Sequence, residues 1–286
     1  MHFSGKQATD SDSTVLDPTS ASFKKLEPLD ITNQYYIYDM VIVAQNRLLC
    51  ITKDHLLLVD SQQDNIKFEL KEMTQFTSVC MINKKCAAVV TGLYHNAVYY
   101  IKIKDDTLEL GEEVRVRVRG HIKGICAMKN NLAVLYVDPP AVMMITKKGN
   151  FIKKIDNDSA EREIFISPWY LTASSDYEHI FVSDPGTNTI TMLNPDLQVL
   201  DTFSNHRLLN SPHGLIMWND QVLVCSRDRQ NIVLLDPSNG QMSNILDETD
   251  GVVWPGVLAF CYQTRTLFIT PFYRNNKISI QRYQLK

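Results

Sequence analysis

The chain repeats one unit of four short apolar strands, and this repeat limits the fold more than any other feature of the sequence. The third strand of each unit begins 42–48 residues after the previous one, near Leu56, Val98, Val142, Ile190, Ile232 and Ile278. A period in the forties with four strands per unit is typical of propeller blades. No segment has a sustained apolar period of helical length. The sequence therefore predicts an all-β fold, a six-bladed β-propeller of four-stranded antiparallel blades.

The two ends of the chain are predicted to meet in one blade. The last unit supplies three strands, around residues 257–261, 267–269 and 278–283, and lacks a fourth. Residues 23–31 can supply the missing strand, and this closure removes an exposed sheet edge. We therefore expect a propeller domain over residues 22–286, closed by an N-terminal strand. Residues 1–21 are rich in Ser, Thr and Asp, and we expect them to form a disordered tail.

Charge and cysteine usage restrict the partners and the compartment. The net charge of -3 provides no global basic field for DNA or for an anionic membrane, and we expect neither partner. No apolar run approaches the roughly 20 residues that span a bilayer. The six cysteines form no CxxC pair, and they lie mostly in or beside apolar runs: Cys50, Cys80, Cys86, Cys126, Cys225 and Cys261. Reduced thiols and the absence of an apolar signal stretch predict a cytoplasmic protein.

Because strands alternate in direction, the loops fall on two faces. We call first face the one formed by the loops into each first strand and between second and third strands. The remaining turns form the second face, which carries plain turns such as residues 83–85. Aromatic and cationic side chains, with Lys123 among them, collect on the first face. The candidate partner-binding residues are Trp169, Tyr170, His213, Arg227, Arg229, Trp254, Tyr273 and Arg274.

Such side chains suit a peptide or single-stranded RNA, since aromatic rings anchor peptides and stack bases while Arg pairs with carboxylate or phosphate. The alternative is a structural role, in which Trp169 and Trp254 fill gaps between blades and the Arg side chains are solvated. His213 begins an inner strand, and we expect it to cap or pack there rather than to bind a metal.

Motifs of catalysis are absent from the sequence. It contains no HExxH, GxSxG, phosphate-binding loop or GxGxxG, so we expect no catalytic residue, no metal and no cofactor. The starts of the inner strands offer Tyr, Thr, Gly, Trp, His and Pro, a poor set of oxygen ligands for a cation. A metal-dependent lactonase-like hydrolase is therefore the least favoured function.

One segment alternates Val and Arg strictly from Val114 to Arg119. The alternation predicts an outermost strand that presents three Arg side chains to solvent, and a phosphate-binding stripe is the alternative. Glu112 and Glu113 are then expected to lie in the approach to this strand.

Two of the units resemble NHL-type repeats. The fourth contains Ser167-Pro168-Trp169-Tyr170-Leu171-Thr172, then Ile180-Phe181-Val182-Ser183-Asp184 and Asn188-Thr189-Ile190-Thr191-Met192-Leu193, and the fifth contains Ser211-Pro212-His213-Gly214-Leu215. Over roughly residues 23–286 the chain is similar to the C-terminal propeller of tripartite-motif (TRIM) proteins. The resemblance implies a platform that recruits ubiquitination substrates or binds RNA. It does not imply ligase activity here, because the chain has no zinc-ligand cluster for a RING.

The function predicted from the sequence is non-catalytic recognition of a protein or peptide partner. Single-stranded RNA binding through the same face is the first alternative, and the hydrolase is the second.

Overall fold

Six four-stranded antiparallel sheets form the protein in a computed structural model that describes residues 22–30, 36–71, 75–92, 95–117, 120–272 and 279–286. This confirms the predicted six-bladed propeller. From the innermost strand outward, the first three blades are β2 (Asp39–Ala44), β3 (Arg47–Ile51), β4 (His55–Asp60), β5 (Asn65–Lys71); β6 (Phe76–Asn83), β7 (Cys86–Thr91), β8 (Ala97–Ile103), β9 (Leu108–Arg115); and β10 (Ile122–Ala127), β11 (Asn131–Val137), β12 (Pro140–Thr146), β13 (Phe151–Ile155).

The remaining blades follow the same order. They are β14 (Tyr170–Ala173), β15 (Ile180–Asp184), β16 (Thr189–Leu193), β17 (Val199–Phe203); β18 (Pro212–Trp218), β19 (Gln221–Ser226), β20 (Asn231–Asp236), β21 (Gln241–Leu246); and β22 (Pro255–Cys261), β23 (Thr266–Pro271), β24 (Ile280–Leu285), β1 (Phe23–Leu29). A short 3-10 helix, Glu248–Asp250, precedes the last blade.

The core lies between blades rather than at one centre. The described residues form six apolar clusters, one between each pair of neighbouring blades. The middle strands are therefore covered on both faces, as in β4, where all six residues are buried. This explains why these strands read as continuous apolar runs and not as an alternation. The outermost strands are largely exposed, and in β17 only Phe203 is buried.

The inner strands contact one another in a closed ring around a central channel. Each is the terminal strand of its sheet, so one of its edges faces the channel. At one point two of these strands approach too closely for a side chain. A Cβ atom on Gly214 would lie 2.7 Å from the carbonyl oxygen of Gly256, so glycine at position 214 lets β18 lie against β22.

The N-terminal strand lies at the outside of the sixth blade. β1 pairs antiparallel with β24, with Phe23 opposite Leu285 and Leu29 opposite Ile280. Arg282 fixes this edge, since its Nε donates to the Glu27 carbonyl at 2.7 Å and its Nη1 donates to the Ser61 carbonyl at 2.6 Å. One side chain thereby joins β1, the sixth blade and the first blade. The predicted tail, residues 1–21, lies outside the described residues, as do residues 31 and 278.

The predicted outer strand at residues 114–119 is wrong in its bounds. β9 runs from Leu108 to Arg115, so Glu112 and Glu113 lie in the strand and not in its approach. The physical reason is the tight turn after β8, which places Leu108 opposite Ile103 at once and starts the strand early. The alternation itself holds over its first half, because Val114 and Val116 are buried while Arg115 is exposed. Residues 118–119 lie outside the described residues.

Removing β1 tests the closure. A chain that starts at Thr32 leaves the edge of β24 unpaired and removes Leu29, which is fully buried. Burial of one such side chain contributes about 1.5–3 kcal/mol, and an unpaired apolar edge promotes aggregation. We expect the unfolding free energy to fall by at least about 1.5 kcal/mol in urea titration, or the protein to aggregate. A chain lacking only residues 1–18 keeps β1 and is the control. If the chain that starts at Thr32 has the melting temperature of the wild type, the closure is contradicted.

Candidate functional site at the channel mouth

A hydrogen bond crosses the channel near the first face. Tyr170 begins β14 in the fourth blade, and its hydroxyl donates to Oδ1 of Asp39, which begins β2 in the first blade. In a ring of six blades, the first and the fourth are opposite each other. The bond therefore spans the diameter of the channel, which contacts between neighbouring blades do not.

The Asp39 carboxylate is fully buried and receives four donors. Besides Tyr170, the backbone N–H of Met40 donates to Oδ1 at 2.8 Å, and the Ser78 hydroxyl and the Val79 N–H donate to Oδ2 at 2.7 and 2.9 Å. Burial raises the pKa of Asp39 to about 6, although the four hydrogen bonds to the carboxylate act in the opposite direction. Burial also raises the pKa of Tyr170 well above its ordinary value, so this phenol stays a donor. Asp39 is thus a buried carboxylate whose hydrogen-bonding sites are filled but whose charged form is still disfavoured by burial.

Lys123 lies in the third blade beside this network. Its ammonium is 3.7 Å from the centroid of the Trp169 ring, a cation–π contact. Burial lowers the pKa of Lys123 to about 8, and the nearby Asp39 charge acts to raise it. The side chain has no ion-pair partner among the described residues, so its charge is balanced only by the ring and by the more distant carboxylate.

His213 fills the space beside Trp169. It is 1% exposed, and its ring centroid lies 5.1 Å from that of Trp169 and 4.8 Å from that of Phe272. Nδ1 lies 2.8 Å from the Ser211 carbonyl and therefore carries the proton, which leaves Nε2 to accept from Arg227 at 3.3 Å. Burial lowers the pKa of His213 to about 4, so the ring is neutral at pH 7.

Arg227 lies on the other side of Phe272 and His213. Its guanidinium lies 5.0 Å from the centroid of the Phe272 ring, and its Nε donates to Asp228 at 2.8 Å. Two cations therefore lie on aromatic rings that contact each other. We call this group the cationic–aromatic pocket; its residues are Lys123, Trp169, His213, Arg227 and Phe272.

The structure brings four of the predicted site residues together: Trp169, Tyr170, His213 and Arg227. Arg229 is exposed and donates to the carbonyl of His206, in the connection between the fourth and fifth blades. Trp254 is 40% exposed, and its carbonyl accepts from the N–H of Phe272 at 2.5 Å. Tyr273 and Arg274 lie outside the described residues.

Three residues of this site were not predicted from the sequence: Asp39, Ser78 and Phe272. The set predicted at the starts of the inner strands, Tyr, Thr, Gly, Trp, His and Pro, is wrong for the first blade, because β2 begins with Asp39, which is fully buried. A signal was present, since Asp39 directly precedes the apolar run Met40-Val41-Ile42-Val43, and an acid at the start of a buried strand needs several donors. A single carboxylate is nevertheless a poor cation site. Among the described residues no three His, Cys, Asp or Glu side chains lie together as ligands.

Comparisons with known proteins identify the fold and no family. No protein-family model matches the chain, and no curated protein matches it. A solved structure of a structural genomics protein of unknown function from Bacteroides thetaiotaomicron is similar, with a TM-score of 0.71 over 92% of this chain and 76% of that one. At 11% identity, this likeness concerns the propeller fold alone. The described residues contain no helix long and apolar enough to cross a membrane.

Titration of Asp39 makes stability depend on pH. Its ordinary pKa is 3.8, and burial raises the value in the folded protein to about 6. The stability that the protonated form contributes is present at pH 4 and is lost as the pH rises through 6, by up to about 3 kcal/mol. Asp39→Asn cannot titrate. We therefore expect the unfolding free energy of the wild type, minus that of the variant, to decrease between pH 4 and pH 7 in urea titrations. A difference that does not change with pH would contradict the raised pKa.

Proposed function

We propose that this chain is a non-catalytic recognition module, a propeller of NHL type, that binds a protein partner through the cationic–aromatic pocket. The observation that carries the proposal is the pair of cations, Lys123 and Arg227, held on the contacting rings of Trp169 and Phe272. Trp, Tyr and Arg are the residues in which binding energy concentrates at protein interfaces.

The charges of the pocket favour a peptide over a nucleic acid. Arg227 already pairs with Asp228, and Asp39 lies behind Lys123, so the net positive charge is small. A polyphosphate backbone needs several cations along its path, whereas one acidic side chain of a peptide needs only one or two. The overall charge of -3 also disfavours a nucleic acid. A protein partner with an acidic residue at the contact is therefore the better fit.

The hydrogen bonds of the site favour binding over catalysis. Both oxygens of Asp39 accept from protein donors, and both ring nitrogens of His213 have partners. A general base needs an acceptor free to take a proton from a substrate. Neither residue has one in this arrangement. All six cysteines are free thiols, which fits a reducing compartment such as the cytosol.

Affinity capture with a charge-reversed variant tests the proposal. Tagged wild-type protein is incubated with cytosolic extract treated with ribonuclease, and the retained proteins are quantified by mass spectrometry. We expect Arg227→Glu to reduce capture of the specific partner at least about tenfold, because loss of one interface hot spot weakens binding by about 2 kcal/mol or more. Thermal unfolding must show that this variant is folded, because the substitution also removes the donor to the buried Nε2 of His213, and such a loss costs about 1–3 kcal/mol.

Lys84→Glu on the second face is the matched control, since it makes the same change of charge at an exposed turn. Capture that survives Arg227→Glu but is lost in Lys84→Glu would show that the wrong face was chosen. A parallel incubation omits the ribonuclease, and capture that occurs only in that incubation would favour the RNA-binding alternative.

A further inference from the structure

The channel contains a second site at its opposite end. A cavity of about 360 Å³ lies among the second-face halves of the inner strands. Its walls include Ile42, Met81, Ala127, Met217 and Phe260, each from a different blade, and Tyr177 from the turn after β14. No residue of the cationic–aromatic pocket lines it. The two ends of the channel are therefore separate sites.

Tyr170 separates the two ends. It lines the cavity, and its hydroxyl donates across the channel to Asp39. The cavity thus ends at the Tyr170–Asp39 bond and opens toward the second face, where Tyr177 is 39% exposed. The polar network lies behind this boundary, with its carboxylate fully buried.

The walls of the cavity carry no charge. Every described residue that lines it is uncharged, about half of the exposed wall is polar, and Met81 and Met217 supply adaptable thioether side chains. The inner strands also turn one sheet edge to the channel, where backbone N–H and C=O groups lack a strand partner. A charged ligand would lose its hydration here without gaining a counter-charge. A neutral molecule with both apolar surface and hydrogen-bonding groups would contact both the side chains and the strand edges.

The volume of the cavity sets a lower limit on the size of its ligand. An apolar cavity of about 150 Å³ is enough for benzene, and typical ligand pockets measure about 300–1,000 Å³. At about 360 Å³ this cavity is more than twice the benzene-sized one, so a single ring would leave most of it to water.

We propose that this cavity binds a neutral small molecule that is larger than one aromatic ring, has both apolar and hydrogen-bonding surface, and enters from the second face. The site is independent of the peptide-binding function, because it shares no wall with the cationic–aromatic pocket.

The uncharged dye N-phenyl-1-naphthylamine is a suitable probe, because it has an apolar body of the right class, one N–H donor, and fluorescence that rises in apolar surroundings. We expect the full-length protein to bind it saturably at one site per chain. Met217→Lys places a charge in the neutral wall, and Ala127→Leu reduces the free volume. Each should weaken binding at least tenfold in fluorescence titration, while thermal unfolding shows that the variant is folded. If Met217→Lys does not fold, Ala127→Leu decides the outcome.

Two controls separate the cavity from other sites. Leu200→Ser removes an apolar side chain that is 48% exposed on the outer strand β17, and it should leave dye binding unchanged. Arg227→Glu in the first-face pocket should also leave it unchanged, so failure of the peptide proposal does not affect this test. Absence of saturable binding in the wild type, wild-type affinity in the folded cavity variants, or loss of binding in Leu200→Ser would each overturn the proposal.

Discussion

The hydrogen bond from Tyr170 to Asp39 is the interaction on which both ends of the channel depend. The apolar clusters join each blade to its neighbours, but this bond joins opposite blades across the axis. It requires a carboxylate with no exposure to water, and such a group is tolerated only when its acceptor sites are filled. The donors come from the first, second and fourth blades, so half of the ring must be in place before the charge is satisfied.

A continuous series of contacts connects this carboxylate to the first face. The charge of Asp39 favours the ammonium form of Lys123, and that ammonium lies on the ring of Trp169. Trp169 contacts His213 and Phe272, and Phe272 lies under the guanidinium of Arg227. Since each contact is short and most of these groups are at least partly buried, the pocket is a pre-organised surface whose side chains lose little freedom on binding.

The features of the fold that repeat along the chain could be predicted from the sequence. The repeated third strand gave the number of blades, and strand direction placed Trp169, His213 and Arg227 on one face. The bounds of β9 were wrong because the Val-Arg alternation at residues 114–119 was taken to mark the strand, whereas the turn after β8 sets its start. Asp39 and Tyr170 are 131 residues apart, and nothing in either segment shows that they meet. Such a contact depends on which side chains of opposite blades face each other in the closed ring, and the repeat period does not specify this.

The two ends of the channel differ because these inner strands begin with polar or charged residues and end with apolar ones. β2 begins with Asp39 and continues to Ile42, β10 has Lys123 near its start and Ala127 at its end, and β18 passes from His213 to Met217.

Because these strands run in parallel around the axis, the polar starts converge on the first face and the apolar ends on the second. Tyr170 lies at the boundary between the two ends, and moving it would leave Asp39 buried with one donor fewer, which costs about 1–3 kcal/mol or more for a charged group. A molecule in the cavity must therefore pack against Tyr170 in its present position, since a displacement would oppose its own binding.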